Sequence, residues 1–128
     1  MTESQQVIRD LESVAAGFAE DVISRQKRRQ LDPDDFEQLK GTGFLLTGVP
    51  ADQGGLWKGP ARSARMYSEM VRTIAHGDPS VALVASMHPA VTGFFLGVES
   101  VDDEPDAWRA QRQWVIESAR DHWWGTVT

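Results

Sequence analysis

The stretch Asp78-Pro79-Ser80-Val81-Ala82-Leu83-Val84-Ala85-Ser86-Met87-His88-Pro89-Ala90-Val91-Thr92-Gly93-Phe94-Phe95-Leu96-Gly97 decides how the rest of the chain is read. Asp78-Pro79 marks a helix start. The aspartate can cap free amides, and proline at the first helical position loses no intrahelical bond. From Val81 to Leu96 the run is apolar nearly all round, through Val81, Leu83, Val84, Met87, Val91, Phe94 and Phe95. Such a helix is buried on every side or crosses a membrane. Ser86, His88 and Pro89 in its middle, and a length barely sufficient to span, favour burial. The expectation is a central helix wrapped by others, with apolar surface left over for another domain or a ligand.

Outward from this run, the periodicity is helical but one-sided. Val7, Leu11, Val14, Phe18 and Val22 recur at steps of four and three, an apolar stripe from about residue 3 to residue 28. Phe36 and Leu39 anchor a short second helix. Tyr67, Met70, Val71 and Ile74 line a third, leaving Arg62, Arg65, Glu69 and Arg72 to solvent, and a fifth carries Trp108, Trp114 and Val115. Asp32-Pro33, Gly59-Pro60 and Glu104-Pro105 repeat the start signal, and Gly41, Gly77, Gly97 and Gly125 supply stops suited to left-handed caps. The longest loop runs from Gly48 to Gly59. At the end, Trp123-Trp124-Gly125-Thr126-Val127-Thr128 has the aromatic and β-branched content of a strand. The predicted fold is all-α: a bundle of about five helices with a central apolar helix over residues 1–122, and residues 123–128 opening the first strand of a missing β-domain.

Totals exclude several classes. Over 128 residues the formal net charge is −6, which argues against nucleic acid, since phosphate neutralisation needs a clustered positive face. The basic run Arg25, Lys27, Arg28 and Arg29 reads as the close of a helix, where cations suit the dipole. Asp32, Asp34 and Asp35 read as first-turn capping, and Asp102, Asp103 and Glu104 as a solvated linker. No cysteine is present, so disulfides and thiolate chemistry are out. His76, His88 and His122 lack any ligand spacing, so no metal is expected. The polar start Met1-Thr2-Glu3-Ser4 is unlike a signal peptide, and a cytoplasmic protein that does not enter the membrane is expected.

His88 is the polar group of most interest. Pro89 cannot donate to the carbonyl of Ala85 and tends to kink the helix there, beside the imidazole and the Ser86 hydroxyl. A kinked apolar helix with converging polar groups suits the wall of a small-molecule pocket lined by Ser86, Met87, Val91 and Phe95, with His88 as the catalytic candidate. The alternative is a core histidine donating to a backbone carbonyl, and the residues leave both open. Trp123 and Trp124 either pack or form a stacking platform for a flavin or an aromatic substrate.

Four strings in order resemble one family. Phe36-Glu37-Gln38-Leu39-Lys40-Gly41-Thr42-Gly43-Phe44 is similar to the L-x-x-x-G-F approach of acyl-CoA dehydrogenases, and Val49-Pro50-Ala51-Asp52-Gln53-Gly54-Gly55 to their V-P-x-x-x-G-G segment. Asp78 to His88 resembles the helix that lines the acyl pocket there, and Trp124-Gly125-Thr126-Val127-Thr128 the entry to the middle β-domain. The resemblance spans nearly the whole chain. It implies the amino-terminal helical domain of an FAD enzyme that dehydrogenates acyl thioesters such as acyl-CoA, a dimer or tetramer of identical chains, with Thr126, Val127 and Thr128 at the start of the flavin loop. The glutamate that removes the α-proton in that family is not in this chain. A histidine at the position of His88 is similar to the superfamily's flavin monooxygenases, which act on aromatic or sulfur substrates with reduced flavin supplied by a partner reductase. A third reading is a non-catalytic helical interaction module. An E-P-x-x-G-S continuation of the reading frame beyond Thr128 would mark the flavin enzyme.

Overall fold

The computed structural model describes residues 1–97 and 101–126. Its regular structure is helical, and no β-strand occurs among the described residues. The elements are α1 (Glu3–Glu20), α2 (Val22–Lys27), α3 (Pro33–Gly41), two 3-10 turns (Phe44–Gly48 and Ala51–Gln53), α4 (Pro60–Gly77), α5 (Pro79–Ala85), α6 (Met87–Leu96) and α7 (Asp106–Asp121). Two of the five expected segments are therefore each broken in two. The long first stripe breaks at Asp21, a poor interior residue because its carboxylate competes for backbone amides. The apolar run breaks at Ser86, three residues before Pro89, where the proline withholds the donor that Ala85 would need.

Start signals act locally. Asp32 accepts from the Asp34 amide, Asp78 accepts from the amides of Ser80 and Val81, and Thr2 closes a reciprocal box with Gln5. The stops follow another rule. The left-handed glycines are Gly43, Gly54 and Gly59, whereas Gly97 is right-handed helical and Gly77 lies inside α4. Gly77 is required by proximity: a Cβ there would stand 2.4 Å from the Ala15 carbonyl oxygen where α4 crosses α1.

Side chains gather in two clusters. The larger joins α1, α3, the first 3-10 turn, α4 and α5 through Leu11, Leu39, Phe44, Met70, Ile74 and Val81. The smaller sets Val115, Ile116 and Ala119 of α7 against Val49 and Leu96, and Leu46 packs on both. The apolar run does not lie at the centre with every side covered. Val81, Ala85, His88, Thr92 and Leu96 point inward, while Leu83, Val84, Phe95 and above all Phe94, 86% exposed, face out. The residues Pro79–Leu96 are long and apolar enough to cross a membrane, but the stretch is bent at Ser86 and inserts His88 and Thr92 into the interior. Within the described residues one flank of the run packs and the other is exposed.

The basic run and the acidic first turn of α3 also do more than cap. Arg25 reaches across to Asp35, with nitrogen–oxygen distances of 2.8–3.1 Å, and its Nε lies 3.5 Å from Asp78. Arg28 joins at 3.2 Å from Asp35. Arg25 also covers the Phe18 ring at 3.9 Å. Arg25 and Asp35 are each 7% exposed, so this network fixes α2, α3 and the start of α5 in place. Lys27 and Arg29 stay exposed, as helix-end cations do.

Candidate functional site

A closed loop lies beside the crossing that holds His88. The segment from Val49 to Trp57 folds back on itself: the Ala51 amide donates to the Trp57 carbonyl at 2.8 Å, and the Trp57 amide donates to Val49 at 3.0 Å. A Cβ on Gly55 would sit 2.0 Å from the Val49 oxygen, so only glycine fits that turn. Just before the loop, the first 3-10 turn presses on α6. A Cβ on Gly48 would lie 2.5 Å from Thr92 Oγ1 and 3.3 Å from His88 Nε2.

His88 is fully buried at this crossing. Its Nε2 pairs with the Leu45 carbonyl at 2.9 Å, and its Nδ1 accepts from the backbone amide of Trp124 at 3.1 Å. Those partners assign the neutral tautomer with the proton on Nε2. Burial pushes the imidazole pKa below its usual value, against the opposing pull of the Leu45 and Ala119 carbonyls. Both ring nitrogens are thus engaged with backbone, and the ring packs edge-on against Trp123 at 5.6 Å. This places His88 as a brace between α6, the 3-10 turn and the segment after α7, with neither nitrogen left for a substrate.

That brace positions two adjacent tryptophans in different surroundings. Trp123 packs with Phe36 and Phe44 on the larger cluster, and Trp124 with Phe95 and Trp114 beside the smaller one. Between them and α3 opens an apolar groove of about 500 Å³, walled by Phe36, Val84, Met87, Trp123, Trp124 and Thr126, with Leu31 and Pro33 at one edge. The Trp123 indole N–H is buried here and has no hydrogen-bond partner among the described residues.

Of the four residues expected to line a pocket, Met87 is in this groove, where it meets Thr126, which was expected instead at the start of a flavin loop. Ser86, Val91 and Phe95 are not among its walls. Ser86 sits at the α5–α6 break, where its hydroxyl donates to Leu83 and its carbonyl accepts from the Tyr67 hydroxyl at 2.9 Å. Val91 is half-buried on α6, and Phe95 packs edge-on against Trp124. Val127 and Thr128 lie outside the described residues, and Trp123 to Thr126 show no strand. Phe36 was legible only as a core anchor, and Leu31 and Pro33 carried no signal beyond a helix start.

Indole and phenyl faces fit an acyl chain or a planar ring. The groove's one charged wall residue is Glu37, an anion, so the groove itself offers no cation to a pyrophosphate. No group of histidine and carboxylate side chains among the described residues is arranged to hold a metal ion. No family model, curated protein or solved structure matches the chain.

Proposed function

We propose that the chain is the amino-terminal helical part of a flavin-dependent oxidoreductase of the acyl-CoA dehydrogenase type, and that its groove forms one wall of the pocket for an apolar acyl tail. The observation that carries this reading is convergence. Met87 on α6 and Trp124 and Thr126 after α7, far apart in sequence, share one open apolar groove. FAD, the α,β-dehydrogenation of an acyl thioester, assembly into a dimer or tetramer and a cytoplasmic address all belong to this proposal and rest on the family resemblance. Because the groove itself offers no cation to the cofactor's pyrophosphate, no chemical step is assigned to its residues.

The dehydrogenase form is preferred over the monooxygenase form because the latter would enlist His88, whose two nitrogens are occupied by Leu45 and Trp124. One observation favours a second reading, the interaction module: Phe94 and Trp114 are 86% and 61% exposed, and exposed apolar surface of this kind marks interaction sites. Titration with a medium-chain acyl thioester, followed by tryptophan fluorescence, separates the two. The substrate-wall reading expects saturable quenching that Met87→Lys abolishes and that free coenzyme A does not reproduce. Absence of saturable quenching overturns it and leaves the module reading.

A further inference from the structure

The two walls of the apolar groove are held in different ways. Phe36, Val84 and Met87 stand on helices, whereas Trp123, Trp124 and Thr126 belong to the segment after α7. Among the described residues, the segment 123–126 makes one main-chain hydrogen bond, from the Trp124 amide to Nδ1 of His88 at 3.1 Å. Its other ties are side chains: the Trp124 indole N–H donates to Ser118 Oγ at 3.1 Å, and both indoles pack on neighbouring rings. Nδ1 accepts the amide only while it carries no proton. A proton there turns the acceptor into a donor facing a donor. Nε2 cannot take over as acceptor, because it already donates to the Leu45 carbonyl at 2.9 Å. The Ala119 carbonyl, in the last turn of α7 where intrahelical donors run out, also acts on the ring and offers a new N–H its acceptor.

We propose that His88 is a proton-operated latch on the groove: protonation of Nδ1 expels the Trp124 amide and releases the 123–126 wall, while the helices stay packed. The neutral ring holds the wall closed, and acid opens it. Burial disfavours the charged ring in the closed form, and release toward water relieves that penalty. The open wall therefore gains on the closed one by up to about tenfold per pH unit below 6.5, until the closed form's own value is reached. By linkage, whatever the groove binds in its closed form is bound more weakly as the proton is taken up, so the latch does not depend on the function proposed for the groove. The first 3-10 turn and α6 carry no further titratable side chain. Around them, Asp78 is paired with Arg25, the Tyr67 hydroxyl donates to the Ser86 carbonyl, Arg120 donates to the Gln53 carbonyl, and Asp121, His122 and the groove-edge Glu37 are exposed.

The test is an NMR titration of the labelled chain from pH 7.5 down to its acid unfolding. The Trp124 amide and Trp123 indole signals are expected to shift with the same midpoint as the His88 ring nitrogens, below pH 6.5, while the Leu11 and Ile74 methyls keep their folded positions. His88→Asn retains an acceptor near the place of Nδ1 but no titrating proton, so its Trp124 amide should hold one shift across that range. Glu37→Gln should titrate as the parent does. A Trp124 amide that stays put while the ring takes up its proton overturns the latch. So does a ring protonated only as the core methyls lose their folded positions, which is global unfolding and not local release. The parent's shift persisting in His88→Asn, or vanishing in Glu37→Gln, would likewise assign the change to another group and overturn it. If His88→Asn does not fold, the parent and Glu37→Gln titrations decide by themselves.

Discussion

The backbone amide of Trp124 donates to Nδ1 of His88 at 3.1 Å, joining the segment after α7 to an imidazole buried in α6. Through that bond the two clusters share one pin, since Trp123 packs on one and Trp124 on the other. Replacing His88 by Ala would orphan both the Leu45 carbonyl and the Trp124 amide and open a cavity. The expected loss is roughly 2–4 kcal/mol. His88→Asn, able to keep one of the two bonds, should lose less. Thermal melts with tryptophan emission as the probe check both; equal stability of parent and His88→Ala would contradict the bracing role.

The lowered pKa of this histidine sets a pH dependence. Its folded value lies below the ordinary 6.5, so the unfolded chain takes up the proton first as pH falls. Stability is therefore full above about pH 6.5 and declines below it, by at most about 1.4 kcal/mol per pH unit, until the folded value is reached. Urea melts between pH 7.5 and 5 should show this slope, on the order of one proton. The slope should vanish from the upper part of the window in His88→Gln. A slope shared equally by the variant would assign the effect to other groups.

Arg25 and Asp35 form a pair removed from water, each 7% exposed, with Arg28 and Asp78 beside them. Asp35→Asn strips one charge from a buried network, and about 3 kcal/mol of destabilisation is expected, in the range for broken buried pairs. Arg25→Met combined with Asp35→Leu removes both charges and should recover much of that loss. Denaturant midpoints of the three proteins test the sign. A double variant less stable than Asp35→Asn would show that the network contributes more than mutual neutralisation.

Two glycines make a paired test of backbone proximity. Gly48→Ala forces a Cβ to 2.5 Å from Thr92 Oγ1, beside His88, and overpacking of this kind costs about 1–3 kcal/mol. Gly17→Ala, inside α1 with nothing within 4 Å, should instead gain about 0.5–1 kcal/mol from helix propensity. Opposite signs in calorimetric melting are the expected outcome. A stabilising Gly48→Ala would mean that the 3-10 turn and α6 are not in contact.

The outward apolar flank predicts behaviour of the isolated chain. With Phe94, Phe95, Leu83 and Val84 exposed, it should bind a hydrophobic dye, and Phe94→Ser should reduce that signal without lowering the melting temperature, because the ring is 86% exposed. Purified chain is also expected to hold no stoichiometric flavin. A yellow protein with equimolar FAD would overturn this expectation.

The sequence by itself determined what neighbours along the chain decide. Asp32, Asp78 and the prolines after them place helix starts because capping involves amides two or three residues away. Pro89 announced the break near Ser86 because a missing donor is a property of the residue. The steps of three and four in Val7, Leu11 and Phe18 named their buried side, since period alone puts them on one face. Only the tertiary structure decided the rest. Arg25 and Asp35 read as a helix end and a helix start, and became a buried pair because the break at Asp21 turns one toward the other. The apolar run Val81 to Leu96 carries no mark of which side is covered; the packing of the other helices put Val81, Ala85, His88 and Leu96 inward and Phe94 outward. His88 was legible as a choice between catalysis and bracing. Its partners, the carbonyl of Leu45 and the amide of Trp124, 43 and 36 positions away, came only with the fold, because hydrogen bonds form between atoms that folding brings together and local pattern cannot encode distant partners.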